Sequence, residues 1–180
     1  MKTLQGALES GRVGHAYLFT GSRGTGKTSL ARVFAKTLNC VKKLNEPCDN
    51  CHFCLSANQG NLLDLIEIDA ASNRGIDEIR SLKDSALVAA PGGGYKVFII
   101  DEVHMLTKDA FNALLKILEE PPAHVIFILA TTEPHKILPT VLSRVQRFDF
   151  KRLNQAQISE KLKMMARKEG IKIADEALRI

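Results

Sequence analysis

Nothing in these 180 residues approaches the ~18 consecutive apolar positions of a membrane span, and the N-terminus lacks the basic, apolar, small-residue order of a leader. Membrane and secreted classes are set aside, and the expected location is the cytoplasm. There is no long run of lysine or arginine either. The net charge of +5 is spread along the chain, which reads as solvated surface or a shallow attraction to nucleic acid or an acidic partner. Internal repeats and low-complexity tracts are absent. Cysteine is absent outside positions 40–54, and no strand signal follows position 150. What remains is length for one full domain and the start of a second, with 45% hydrophobic residues to build a core.

Short apolar runs at 16–19, 62–68, 96–100, 125–130 and 145–150 read as strands of a mostly parallel five-stranded sheet covered on both faces. Between them lie helix-like segments at 27–38, 77–88, 108–120 and near 137–141, with another at 2–10. Strands separated by helices predict a doubly wound α/β fold over 1–150. Asn73 is placed to start a helix, Pro121-Pro122 to stop one, and 91–94 is read as a flexible loop. Residues 151–180 read as two helices, 154–169 and 174–180, broken around Gly170, and open a small helical domain.

Residues Gly21-Ser22-Arg23-Gly24-Thr25-Gly26-Lys27-Thr28 spell the P-loop pattern, directly after a strand and directly before a helix. Gly21, Gly24 and Gly26 allow a tight turn that points backbone N–H groups at phosphate oxygens, with a helix N-terminus behind them. Thr25 and Ser29 complete the cradle. Lys27 reaches the β- and γ-phosphates, and the Thr28 hydroxyl suits Mg²⁺. A nucleoside triphosphate is the expected ligand. The apolar strand at 96–100 then ends in Asp101-Glu102, placing two carboxylates at the edge of the sheet where ligands bind. Asp101 suits Mg²⁺, and Glu102 suits polarising a water toward the γ-phosphate. His104 completes a DE-x-H string but reads as a partly packed helix-start histidine.

All four cysteines fall in Cys40-x7-Cys48-x2-Cys51-x2-Cys54, a spacing that fits a closed structural Zn²⁺ site in an insert at 39–57. His52 would be a redundant fifth ligand. Disulfides or an iron–sulfur cluster are the rivals. Four thiolates with one Zn²⁺ would carry about −2. Two polar stretches fall where a nucleotide engine wants sensors: Thr131-Thr132 after the strand at 125–130, and Arg144 before the last strand. By themselves they read by default as turn threonines and a surface arginine.

Taken in order, GSRGTGKTS, the four-cysteine insert, LLDLIEIDAAS, VFIIDEVHML, FNALLKILEEPP, FILATTEP and LSR resemble the γ/τ subunits of bacterial DNA polymerase III, the clamp-loader ATPases of the AAA+ superfamily. The resemblance covers essentially the whole chain. It implies ATP, Mg²⁺ and Zn²⁺ as cofactors, Asp101 and Glu102 as the Walker B pair, and Thr132, with Thr131 as second choice, as sensor 1. Arg144 is implied as an arginine finger acting in trans, with Val145 standing where the family motif often has cysteine. Implied partners are the other clamp-loader subunits of a hetero-pentameric ring, the sliding clamp and primed DNA. A segment enclosing the adenine, a sensor 2 arginine, a collar domain and a tail that meets polymerase and helicase are implied outside 1–180. The fragment alone is therefore expected to bind ATP less tightly and hydrolyse it slowly. A branch-migration ATPase and a non-hydrolysing loader subunit are the alternatives, the first disfavoured by the cysteine insert and the second by an intact P-loop. The insert lacks the dense basic and aromatic interleaving of a nucleic-acid reader.

Overall fold

The three most apolar runs form the middle of the sheet. The computed structural model describes residues 2–42, 46–90, 93–171, 173 and 177. Strands β1 (Ala16–Gly21), β2 (Leu65–Asp69), β3 (Lys96–Asp101), β4 (Val125–Thr131) and β5 (Gln146–Phe150) form one sheet in the order β2-β3-β4-β1-β5. Every pairing is parallel. The helices are α1 (Lys2–Glu9), α2 (Lys27–Asn39), α3 (His52–Asn58), α4 (Ile76–Leu87), α5 (Lys108–Glu119), α6 (Pro139–Leu142) and α7 (Gln155–Lys168). The α/β sheet expected from the sequence is present.

Alternate residues of the central strands feed two cores, one on each face. On one face Leu18, Phe98, Ile100, Phe127 and Leu129 pack with Ile79 and Leu82 of α4 and with Leu114 and Leu118 of α5. On the other, Tyr17, Phe19, Val97, Ile99, Ile126 and Ile128 pack with Leu4 of α1 and Phe34 of α2. Burying each such side chain contributes about 1.5–3 kcal/mol. The apolar positions of α5 (Phe111, Leu114, Ile117, Leu118) recur at helical spacing. Its start is capped by Thr107, whose side chain accepts from the Ala110 N–H, and it ends just before Pro121-Pro122.

Two expectations change in detail. Strand β2 begins at Leu65 rather than at 62, and Leu63 is largely exposed. The flanking strands β2 and β5 carry polar residues at alternate positions and are only partly covered, because each lies at a sheet edge. Of the loop at 91–94, residues 91 and 92 lie outside the described set. Its far end is pinned: Tyr95 N–H donates to Asn39 Oδ1 at 2.8 Å, and Asn39 Nδ2 returns a bond to the Tyr95 carbonyl at 2.7 Å.

The chain divides into two compact units, Met1–Phe150 and Lys151–Ile180. In the second, α7 opens on a capping box in which Asn154 and Gln157 bond each other's backbone N–H, and the helix stops before Gly170, whose φ is +68°. The second helix expected at 174–180 lies outside the described residues, 177 apart.

Candidate nucleotide site and cysteine cluster

Parallel pairing brings the carboxyl ends of β1, β3 and β4 to one edge of the sheet. Gly21 ends β1 where a side chain has no room: a Cβ there would lie 2.6 Å from the Phe150 carbonyl oxygen. Gly24 and Gly26 have open space but adopt φ of +77° and +89°, so their requirement is conformational. Helix α2 starts at Lys27 with no side-chain cap and no acidic residue in its first turn, which leaves its N-terminal donors and positive end for an anion. Thr25 Oγ1 donates to the Ser22 carbonyl at 2.8 Å and tightens the loop.

Lys27 is 6% exposed, and its Nζ donates to the carbonyls of Gly21 and Ser22 at 2.9 and 3.0 Å, so the ammonium is folded over the loop it is meant to serve. Thr28 Oγ1 donates to Asp101 Oδ2 at 2.7 Å, joining the hydroxyl and the carboxylate assigned to Mg²⁺ across 73 positions of sequence. An oxygen pair of this kind fits a hard divalent cation. Asp101 Oδ1 accepts the Glu102 N–H at 2.8 Å. These groups line a cleft of about 420 Å³ that Ser29 also borders. A larger groove of about 780 Å³, holding the bidentate Arg32–Glu67 pair, lies beside α2 and β2. It contains neither Lys27 nor Asp101, and the chemistry favours the smaller cleft.

Glu102 has a left-handed backbone, φ +46°, uncommon for a residue with a side chain. Its Oε2 accepts the Thr132 N–H at 3.2 Å and the Thr132 hydroxyl at 2.9 Å. Thr131 faces elsewhere: its Oγ1 accepts the Glu133 N–H and meets His104 Nδ1, both at 3.0 Å. Of the two threonines it is Thr132 that touches the acid. The His104 side chain is largely covered, and it also lies 3.4 Å from carboxylate oxygens of Glu102 and Glu133. Arg144 is not among the residues that line the Lys27 cleft. Its guanidinium donates from Nη1 to the Thr140 carbonyl at 2.7 Å and the Ser143 hydroxyl at 3.1 Å, and from Nη2 to Glu119 Oε1 at 2.9 Å.

The sequence did not single out Asp69. It ends β2 in register with Asp101, lines the same cleft, and accepts the Ala71 N–H and the Ser72 hydroxyl, each at 2.8 Å. Those donors, the Ala71 N–H foremost, hold its carboxyl below the usual range. The available signal was a strand ending in an acid. Its relevance depended on β2 lying beside β3.

The four sulfurs lie within 4.8 Å of one another, and none is in a disulfide. Cys48 and Cys54 sulfurs are 4.0 Å apart, close to the ~3.8 Å edge of a tetrahedron with Zn–S bonds of ~2.3 Å. Backbone N–H groups of Val41 and Cys54 lower the Cys51 thiol to about 6, whereas burial pushes Cys54 up to about 12. A divalent cation among them would deprotonate the whole set. Cys40 caps the C-terminus of α2 and Cys51 the N-terminus of α3. Lys36 of α2 also bonds Asp49 and Asn58, at 2.5 and 2.7 Å. The cluster fits Zn²⁺ and is built onto the helix that begins at Lys27.

A protein-family model described as DNA polymerase III, delta subunit, matches residues 1–154. The chain belongs to this family. Within the DNA polymerase III proteins it is 54% identical to the tau subunit of Bacillus subtilis over 99% of its length, covering 32% of that protein. It is 50% identical to the tau/gamma subunit of Haemophilus influenzae and 48% identical to the tau subunit of Escherichia coli, covering 26% and 28% of them. The chain thus spans about a quarter to a third of these curated relatives. Among solved structures, a DNA polymerase III gamma-subunit-related protein of Thermotoga maritima matches 93% of the chain and 51% of its own, with TM-score 0.62 and 25% identity. The RuvB Holliday junction branch migration motor of Thermotoga maritima matches 99% of the chain and 53% of its own, with TM-score 0.66 and 23% identity. That second likeness concerns the fold alone, which is the AAA+ fold of this DNA polymerase III family member. No described helix is long and apolar enough to cross a membrane.

Proposed function

We propose that residues 1–180 carry the nucleotide site of a clamp-loader subunit that binds and hydrolyses ATP, within the DNA polymerase III holoenzyme of the bacterial cytoplasm. The whole subunit then works in a hetero-pentameric ring that opens the sliding clamp and places it on primed DNA. It meets polymerase and helicase through regions outside 1–180. Residues 1–150 form the ATPase domain with a zinc insert at 39–57, and 151–180 begin a helical lid. The carrying observation is the Thr28–Asp101 contact beside buried Lys27, which gathers the P-loop and the Walker B strand into one cleft.

Bound ATP with Mg²⁺ supplies the transferable phosphoryl group and the neutralising metal charge. Gly21, Gly24, Thr25, Gly26 and Ser29 shape the cradle, and the first N–H groups of α2 bind phosphate oxygens. Lys27 exchanges its bonds to Gly21 and Ser22 for the phosphates. Thr28 and Asp101 hold the metal, Glu102 polarises the attacking water, and Thr132 fixes the Glu102 carboxylate. Arg144 acts on ATP held by the neighbouring subunit, which accords with its absence from the lining of its own chain's cleft. Cys40, Cys48, Cys51 and Cys54 hold Zn²⁺ in a structural role. A non-hydrolysing subunit is disfavoured because Lys27, Thr28, Asp101 and Glu102 are all present and assembled. The fragment alone should bind ATP more weakly than the full-length protein and turn it over slowly.

Glu102→Gln in the full-length protein, assembled with its loader partners, clamp and primed DNA, tests hydrolysis. Loss of a positioned general base costs ~10²–10⁴ in rate. Steady-state phosphate release should fall by that amount while ATP binding persists. A variant that hydrolyses at the parental rate would remove Glu102 from the reaction.

A further inference from the structure

Glu119 closes α5 at a place where a helix disfavours negative charge, since the C-terminus already carries the negative end of the dipole. Such a local conflict calls for a tertiary reason, and Arg144 supplies one. The guanidinium is gripped from two elements. Thr140 and Ser143, from α6 and the residue after it, take the two Nη1 hydrogens, and Glu119 takes one from Nη2. Among the described residues that leaves the Nε–H and one Nη2–H on a side chain still 33% exposed.

We propose that Glu119 is a positioning residue that fixes the Arg144 guanidinium in advance for engagement of a triphosphate on a neighbouring subunit. The inference rests on the trans role given above to Arg144. A lone surface arginine samples many rotamers and must lose them on engaging phosphate; one already held at three hydrogen bonds loses fewer. Alignment governs the benefit, because an ångström of misplacement in a reacting site can cost ~10²-fold in rate. The pair contributes little to stability, being partly exposed on both sides and screened by solvent. Removing Glu119 should therefore disturb the finger while sparing the fold.

The test uses the full-length protein in its complete loader with clamp and primed DNA, comparing Glu119→Ala, Glu119→Gln, Arg144→Ala and the double variant Glu119→Ala/Arg144→Ala. Glu119→Ala should lower kcat about tenfold, within the range expected for misplacement. The KM for ATP and the melting temperature should stay at parental values. Glu119→Gln keeps an acceptor oxygen and should recover most of the rate. The double variant should be no slower than Arg144→Ala. A parental or faster rate for Glu119→Ala would overturn the proposal, the faster one by showing that Glu119 withholds the finger. An equal further loss in the Arg144→Ala background would overturn it too, by placing Glu119 on another path. If Arg144→Ala itself leaves the assembled rate unchanged, it is the finger assignment that has failed, and Glu119 loses its role with it.

Discussion

Arg144→Ala should slow ATP hydrolysis by the assembled clamp loader by ~10³–10⁵-fold, the range an arginine finger supplies, and should barely change hydrolysis by the isolated chain. The asymmetry follows from position. Arg144 is bound to Glu119, Thr140 and Ser143 and is absent from the lining of the cleft that holds Lys27 and Asp101. Under the proposed trans role, a cation placed there would stabilise charge on a phosphate brought by another subunit. Mixing provides the sharper form of the measurement. Subunits carrying Arg144→Ala retain a working P-loop, and subunits carrying Lys27→Ala retain a working finger. A mixed ring should recover a fraction of the activity missing from rings made of either variant alone. Equal loss in isolated and assembled protein would show that Arg144 acts in cis.

Stripping the metal should open the 39–57 insert. Secondary structure alone holds the described part of the insert weakly: α3 has seven residues, below the ~12–15 at which an isolated helix becomes marginally stable. Its described polar ties to α2 include the bonds from Lys36 to Asp49 and Asn58, of which the ion pair is largely exposed on the Asp49 side. Structural Zn²⁺ contributes an apparent ~10–16 kcal/mol in small zinc modules, far more than those contacts. Elemental analysis should find one zinc per chain. Chelation, or Cys54→Ser, should make the remaining thiols reactive and lower the melting temperature. Each kcal/mol lost corresponds to about 2–4 °C in a domain of this size. Since Cys40 caps the helix that starts at Lys27, fraying from that end should also weaken nucleotide binding. A metal-free chain with an unchanged melting curve and protected thiols would contradict the zinc assignment.

Local signals made most of the site legible. The P-loop, the Asp101-Glu102 strand end and the cysteine cluster are each short enough that spacing fixes the geometry. The central strands β1, β3 and β4 were equally plain, since both faces are buried and the runs are continuous. The start of β2 was misplaced because Leu62-Leu63 extends the apolar run without entering the sheet, with Leu63 left in solvent. What stayed hidden depends on strand order. Asp69 matters because β2 lies beside β3, and Gly21 is obligatory because β5 passes against it at Phe150. Which of Thr131 and Thr132 reaches Glu102 depends on the path of the chain just past β4, and it is the Thr132 hydroxyl that bonds the carboxylate. Glu119 reads as one acid in an acidic pair until α6 folds Arg144 onto it.

The central claim is that buried Lys27, the glycine loop and the Thr28–Asp101 pair form a site for a magnesium-bound triphosphate. Titration calorimetry of ATP with Mg²⁺ into the full-length protein, parent beside Lys27→Ala, addresses it most directly. One nucleotide should bind per parental subunit, with at least a tenfold weaker affinity in the variant, about 1.4 kcal/mol. No heat of binding in the parent, or the same affinity in both proteins, would contradict it.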